Sequence, residues 1–190
     1  MTISNGLATS STTAGGAYGG ALFVGSDVKV FLLGVTFTSS TASSGYGGCV
    51  YMQSGNEVIM DSCLFQSCAS KYGAGLAAGA NVDLEMVDTV FESNSASSQG
   101  GALYWLGASL TAARVSFSSC YSPSGGGVYA SSGTLRMASY YFSSNTGTTG
   151  KDVYVTGGSF FPADGCAFGR FNFGNGMLSC YGCDEDYLPS

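Results

Sequence analysis

Two phrases alternate along this chain on one beat, and a chain built that way has few folds open to it. The first phrase runs GGALFV from Gly19, GGCVYM from Gly47, GAGLAA from Gly73, GGALYW from Gly100, GGGVYA from Gly125 and a degraded GKDVYV from Gly150. The second is FTSS at Phe37, FQSC at Phe65, FESN at Phe91, FSSC at Phe117 and FSSN at Phe142, so successive Phe residues lie 28, 26, 26 and 25 positions apart. Units of this size cannot bury an apolar face alone and must stack on one another, as in a solenoid.

Aligning the units on the Phe turns the sequence into columns. Seven residues before it stand Val30, Val58, Leu84, Leu110 and Leu135, and five before it Leu32, Met60, Met86, Ala112 and Met137. The position between is mixed: Phe31, Ile59, Glu85, Thr111, Arg136. Apolar residues at alternate positions mark a strand, not a helix. The glycine phrase does the same, with aliphatic residues at its fourth position (Leu22, Val50, Leu76, Leu103, Val128, Val153) and a second inward set at its sixth, including Val24, Met52 and Trp105. Each unit thus holds three short strands. The expected fold is all-β, a right-handed parallel β-helix of about five to six coils stacked at about 4.8 Å. A propeller blade needs a longer unit of four strands. The repeats occupy residues 1–155, with TISNG at the start read as the tail of an earlier unit. Residues 156–190 leave the pattern and are expected to form a C-terminal cap, rich in Phe, or the start of a cysteine-rich module.

The third residue after each Phe is Ser40, Cys68, Asn94, Cys120 or Asn145. Small polar side chains stacked at a bend suit hydrogen bonding to the turn backbone of the neighbouring coil. Cys68 and Cys120 share this inward column but sit two coils apart, about 9.6 Å, too far for a disulfide, and are expected to be buried free thiols.

GGA followed by an aliphatic residue, alternating with FxxN, resembles the repeats of chlamydial polymorphic outer membrane proteins and of related surface proteins of microbial eukaryotes. The similarity spans about Gly19 to Val155, with FxxN intact at Phe91–Asn94 and Phe142–Asn145. The resemblance implies a secreted or surface-anchored segment that adheres or builds a coat. The tail GCAFGRFNFGNGMLSCYGCDEDYLPS, with Cys166, Cys180 and Cys183, is similar to the opening of a growth-factor-receptor-like module that follows such repeats. Cys166 is expected to pair with Cys180 or Cys183. The CxxC from Cys180 has no second CxxC to complete a zinc site.

Charge narrows the functions open to such a fold. Only 9% of residues are charged and the formal net charge is -6, so no basic patch for nucleic acid exists. No run approaches the roughly 18 apolar residues of a membrane helix. The chain has no His, which removes the commonest general base and any Ser-His-Asp or Cys-His arrangement. The run Asp184, Glu185, Asp186 reads as a solvated tail, and within the repeats carboxylates gather in the column Lys29, Glu57, Asp83, Ser109, Thr134, with Glu85 facing the same way. That is a solvated face or a cation or catalytic site, and Lys29 is expected to pair with Glu57, Asp88 with Arg114. No cofactor or metal is expected.

The outward column of the glycine phrase, Phe23, Tyr51, Tyr104, Tyr129 and Tyr154, is interrupted once by Ala77 and flanked by Tyr18, Tyr46 and Tyr72. Stacking between coils would account for it without a ligand, and flat platforms for sugars or a partner would account for it with one. The functional expectation is a non-enzymatic extracellular or cell-surface β-helix, structural or adhesive, in a filament or coat with other copies of itself, neighbouring surface proteins or glycans. The alternative is a polysaccharide-binding or polysaccharide-cleaving protein, disfavoured because every unit stays at 25 to 28 residues and none carries a loop to wall a cleft.

Overall fold

The structure, a computed structural model, describes residues 1–9, 17–162 and the backbone of 171–173. It is a parallel β-helix in which every paired strand runs parallel to the equivalent strand of the next coil. One sheet carries the glycine phrase, from Leu22–Val24 to Val153–Val155 and on to Phe171–Phe173. The second carries the segment before the Phe, from Lys29–Leu33 through Thr134–Ala138 to Ser159–Pro162. The third carries the Phe column and begins at Thr2–Ser4, where Ile3 lies in register with Phe37, so the opening TISN does continue the repeat.

A fourth sheet joins these three. Leu7–Ala8, Thr41–Tyr46, Ala69–Tyr72 and Ser95–Gln99 pair along the bend after the Phe strand, and isolated bridges carry the pairing on through Tyr121 to Thr146. Its inward side chains are the small Ala42, Ser70, Ala96 and Ser122, so it lacks the hydrophobic alternation that reveals the other three. Pro123, which has no N–H to donate, lies where the ladder thins to single bridges.

Inside, the Phe column is a continuous stack. Ring centroids of Phe37, Phe65, Phe91, Phe117 and Phe142 follow one another at 5.0, 4.7, 5.1 and 4.8 Å, with planes within 21° of parallel. In-register parallel strands hold identical side chains one strand spacing apart, which for aromatic rings is stacking distance. The alternate aliphatic columns close the same core, with Met52, Met60, Met86, Leu103, Leu110 and Trp105 among its fully buried members.

The corners explain the invariant punctuation. The first glycine of each phrase (Gly19, Gly47, Gly73, Gly100, Gly125, Gly150) has φ between 59° and 67°. A Cβ there would fall 2.2–2.5 Å from the carbonyl oxygen three residues on, so no side chain fits. The residue two after each Phe is also left-handed but is always Ser, with φ from 52° to 56° at Ser39, Ser67, Ser93, Ser119 and Ser144.

The polar column at this bend acts as expected. Asn94 accepts a hydrogen bond from the Cys68 N–H at 3.0 Å and donates to the Phe65 carbonyl at 2.9 Å. Asn145 repeats both bonds to Cys120 N–H and the Phe117 carbonyl, at 2.9 and 3.0 Å. Each Asn therefore fastens its own coil to the preceding one through two buried backbone groups that would otherwise lack partners.

The expectation that Cys68 is a free thiol is wrong. It forms a disulfide with Cys49, whose Cα lies 5.6 Å away. Cys49 belongs to the glycine-phrase column Ala21, Cys49, Gly75, Ala102, Gly127, Asp152, which faces the Ser40, Cys68, Asn94, Cys120, Asn145 column across the narrow corner of the core. The same two columns meet again where Asn145 donates to Asp152 at 3.0 Å. A search within one column misses a partner in the next. Cys120 does stay free and buried, as does Cys63. Burial pushes the Cys120 thiol up to about 11 and raises that of Cys63.

Past Val155 the ladder continues rather than stopping. Phe160 packs into the core in register with Leu135, while Phe161 turns outward beside Arg136. Cys166, Cys180 and Cys183 lie outside the described residues.

Candidate functional site

The outward face of the glycine sheet carries the aromatic residues singled out from the sequence, and the structure sorts them by position. Phe23 is 49% exposed and Tyr51 and Tyr154 are half-buried, but Tyr104 and Tyr129 are only 9% and 7% exposed. The reason is a second ladder beside the first. Tyr18, Tyr46 and Tyr72 stack at 5.8 and 4.7 Å along the adjoining corner, and their rings lean against the outward column. Ala77 supplies the room: with no ring there, Tyr46 and Tyr72 converge on Tyr104 at 5.7 and 5.4 Å. Tyr104 then stacks on Tyr129 at 5.3 Å with planes 3° apart.

This external cluster is a small satellite core of Ala77, Tyr104 and Tyr129, walled by Tyr46, Tyr51, Tyr72, Leu106 and Tyr154. Burial raises the phenols of Tyr46 and Tyr51 and pushes that of Tyr104 up to about 12, with neighbouring phenols adding to the effect. The Tyr129 and Thr156 hydroxyls share a hydrogen bond at 3.2 Å. Open ring faces remain at the Tyr18 and Phe23 end, where Tyr18 lies 4.9 Å from Tyr51.

The second candidate face is the outer surface of the sheet that precedes the Phe. Its in-register rows place Lys29, Glu57, Asp83, Ser109 and Thr134 in one line and Phe31, Ile59, Glu85, Thr111, Arg136 and Phe161 in the next. Lys29 does pair with Glu57, at 2.5 Å. An open depression of about 380 Å³ lies over the middle rows, lined by Glu57, Ile59, Asp83, Glu85, Ser109 and Thr111. No group of three or more His, Cys, Asp or Glu residues able to hold a metal ion is found among the described residues. At the neighbouring corner Asp88 and Arg114 form a two-pronged ion pair, at 2.6 and 2.8 Å. The Arg114 hydrogen bonds hold the Asp88 carboxyl below its ordinary value, and both groups are fully exposed, so the pair adds little to stability.

Comparison with protein-family models, with curated proteins and with solved structures returns no match. Two features of these faces lay outside the reading of the sequence. Phe31 had no assigned role and Phe161 was read as part of the Phe-rich cap, whereas both stand exposed at the two ends of a single outward column. The burial of Tyr104 depends on rings leaning across a corner, which no column taken alone displays.

Proposed function

We propose that this chain is a non-enzymatic segment of an extracellular or cell-surface protein, in which the β-helix serves as a structural or adhesive rod. The observation that carries this reading is the uniformity of the coils: from Gly19 to Val155 each unit repeats the same three strands at a spacing of 25 to 28 residues, with no long inserted loop between them. Catalysis on such a scaffold needs an enclosed site that excludes water and fixes acid and base groups against a substrate. The depression over the carboxylate rows is open to solvent.

Three further features support the reading. The Cys49–Cys68 disulfide suits an oxidising compartment. The outer face relies on Ser, Thr and Tyr rather than charge. The alternating glycine and Phe phrases resemble those of polymorphic outer membrane protein repeats, which implies surface display and contacts with like copies or neighbouring surface proteins. Antibody raised against the folded chain should label intact cells of the source; labelling that appears only after permeabilisation would contradict this reading.

One observation favours the second reading, a polysaccharide-binding or polysaccharide-cleaving protein: the carboxylate-lined depression itself. Prolonged incubation with pectin-like glycans separates the two. The rod produces no shorter products, and cleavage that disappears in Glu57→Gln or Asp83→Asn would establish the enzyme.

A further inference from the structure

The fold sorts the side chains that oxidise most readily. Met52, Met60, Met86, Met137 and Trp105 are buried, as are the free thiols Cys63 and Cys120, and burial protects such groups. Tyrosines are placed differently. Seven of them, from Tyr18 to Tyr154, form one connected network of ring contacts on the outer face of the glycine sheet and its corner. The network opens to solvent at one end, where Tyr18 is 36% exposed and Tyr51 half-buried. Tyr121 and Tyr141, also exposed, stand on other sheets and touch no ring among the described residues.

Contacts within the network are of two kinds. Along the corner column the rings stack, Tyr18 on Tyr46 with planes 6° apart and Tyr46 on Tyr72 with planes 23° apart. Such pairs offer each other their faces. Their strands also lie about 4.8 Å apart, closer than the Cβ atoms of two tyrosines joined ring to ring can stand. Between columns the rings are tilted, so that an edge of one can meet an edge of the other. Tyr18 and Tyr51 are the nearest pair of this kind, at 4.9 Å with planes 40° apart, against 5.4 Å for Tyr72 and the covered Tyr104.

We infer that Tyr18 and Tyr51 are an oxidative cross-linking site, joined as dityrosine by a one-electron oxidant of the peroxidase and hydrogen peroxide class. Each phenol gives up one electron and one proton, and the two phenoxyl radicals join by a C–C bond between ring carbons ortho to oxygen. The hydrogens on those carbons then move to the oxygens and restore both phenols. The two electrons and two protons released reduce one hydrogen peroxide to two waters. The bond ties the stretch leading into Leu22–Val24 to the next strand of the sheet, Val50–Met52, at the end of the core where Ile3, Leu22 and Val30 are only partly buried. The Cys49–Cys68 disulfide suits the same oxidising surroundings. The inference goes beyond the reading of the chain as a surface rod and does not depend on it, since the test supplies the oxidant.

The test treats the whole purified chain, at low concentration, with a peroxidase and hydrogen peroxide, reads dityrosine by its fluorescence and locates it by peptide mass mapping. The monomer should gain the fluorescence in a yield independent of chain concentration, with the Tyr18 and Tyr51 peptides joined and two hydrogens lost, and the joined chain should melt higher than the untreated one. Tyr18→Phe and Tyr51→Phe should each abolish the signal of the monomer, whereas Tyr121→Phe with Tyr141→Phe should leave it unchanged. Coupling found only in dimers and larger species, through Tyr121 or Tyr141, would overturn the inference. So would a joined Tyr46 and Tyr72 pair, or an equal yield from the chain unfolded in denaturant. Absence of dityrosine under conditions that couple free tyrosine would overturn it as well, and would leave the reading of the chain as a surface rod standing, because labelling of intact cells decides that separately.

Discussion

Truncating the central ring of the Phe stack, Phe91→Ala, should be among the most damaging single substitutions in this chain. Phe91 is fully buried and lies between Phe65 at 4.7 Å and Phe117 at 5.1 Å, with ring planes 9° and 7° from parallel. Removing a buried Phe side chain costs about 3 to 5 kcal/mol, which combines lost transfer energy with the cavity left behind. Two stacked contacts, each worth about 0.5 to 1.5 kcal/mol beyond area burial, place this site at the upper end of that range. The cavity cannot readily collapse, because the neighbouring rings are held in register by their own strands on either side. For a chain of this length, about 5 kcal/mol corresponds to a fall in melting temperature of roughly 10 to 20 °C. Denaturant unfolding followed by circular dichroism reads the loss directly. Phe23→Ala, at an exposed ring on the outer face, is the control and should cost under about 1 kcal/mol. If the two substitutions proved equally mild, Phe91 would not be inside a stacked core and the column assignment would be wrong.

Three other outcomes follow from the same geometry. Asn94→Ala strands the Cys68 N–H and the Phe65 carbonyl in the interior, at about 1 to 3 kcal/mol for each group, so equilibrium unfolding should show a loss of about 2 to 6 kcal/mol. Replacing Cys49 and Cys68 together by Ala opens a loop spanning 19 residues and should cost about 3 kcal/mol; peptide mass mapping of the native chain should find these two joined and Cys63 and Cys120 blocked by alkylation only after unfolding. Alkaline pH should unfold the chain: burial raises Tyr46 and Tyr51, takes Tyr104 from 10.0 to about 12, and takes Cys120 from 9.0 to about 11. Because these folded values lie above the unfolded ones, the stability they carry is intact below about pH 9 and is lost as pH climbs toward 12, so phenolate absorbance should rise together with loss of ellipticity. Because exposed rings such as Tyr121 and Tyr141 also absorb, the Tyr104 phenolate is read as the difference from Tyr104→Phe, and a difference signal that formed near pH 10 with the fold intact would contradict the burial of Tyr104.

The parts of this fold that were legible in the sequence are those where one position repeats one kind of residue. Phe37 to Phe142, the aliphatic alternation before them and the first glycine of each phrase are local signals repeated five or six times, and each maps onto a column of the solenoid. The two surface ion pairs were legible for the same reason, since Lys29 and Glu57, or Asp88 and Arg114, share a column in adjacent coils. What escaped notice arises between columns. The Cys49–Cys68 bond joins two columns that face each other only because the corner is narrow. The inward Ala42, Ser70, Ala96 and Ser122 of the fourth sheet carry no strand signature. Tyr104 alternates outward and is nonetheless covered, by tyrosines from the next corner filling the gap over Ala77, and Tyr129 is then sandwiched between Tyr104 and Tyr154. The carboxylate face was half legible: Glu57 and Asp83 share a column that the spacing reveals, whereas the open depression over them depends on side chains of two rows at once.

The in-register parallel stack is the claim on which every site assignment rests, and nuclear Overhauser contacts between aromatic side chains test it most directly. With selectively labelled Phe, the account predicts a chain of ring contacts from Phe37 to Phe65, Phe91, Phe117 and Phe142, each residue touching its neighbours in that order and no others of the set. Contacts that skip a member, such as Phe65 to Phe117, or an isolated Phe91 ring, would contradict it.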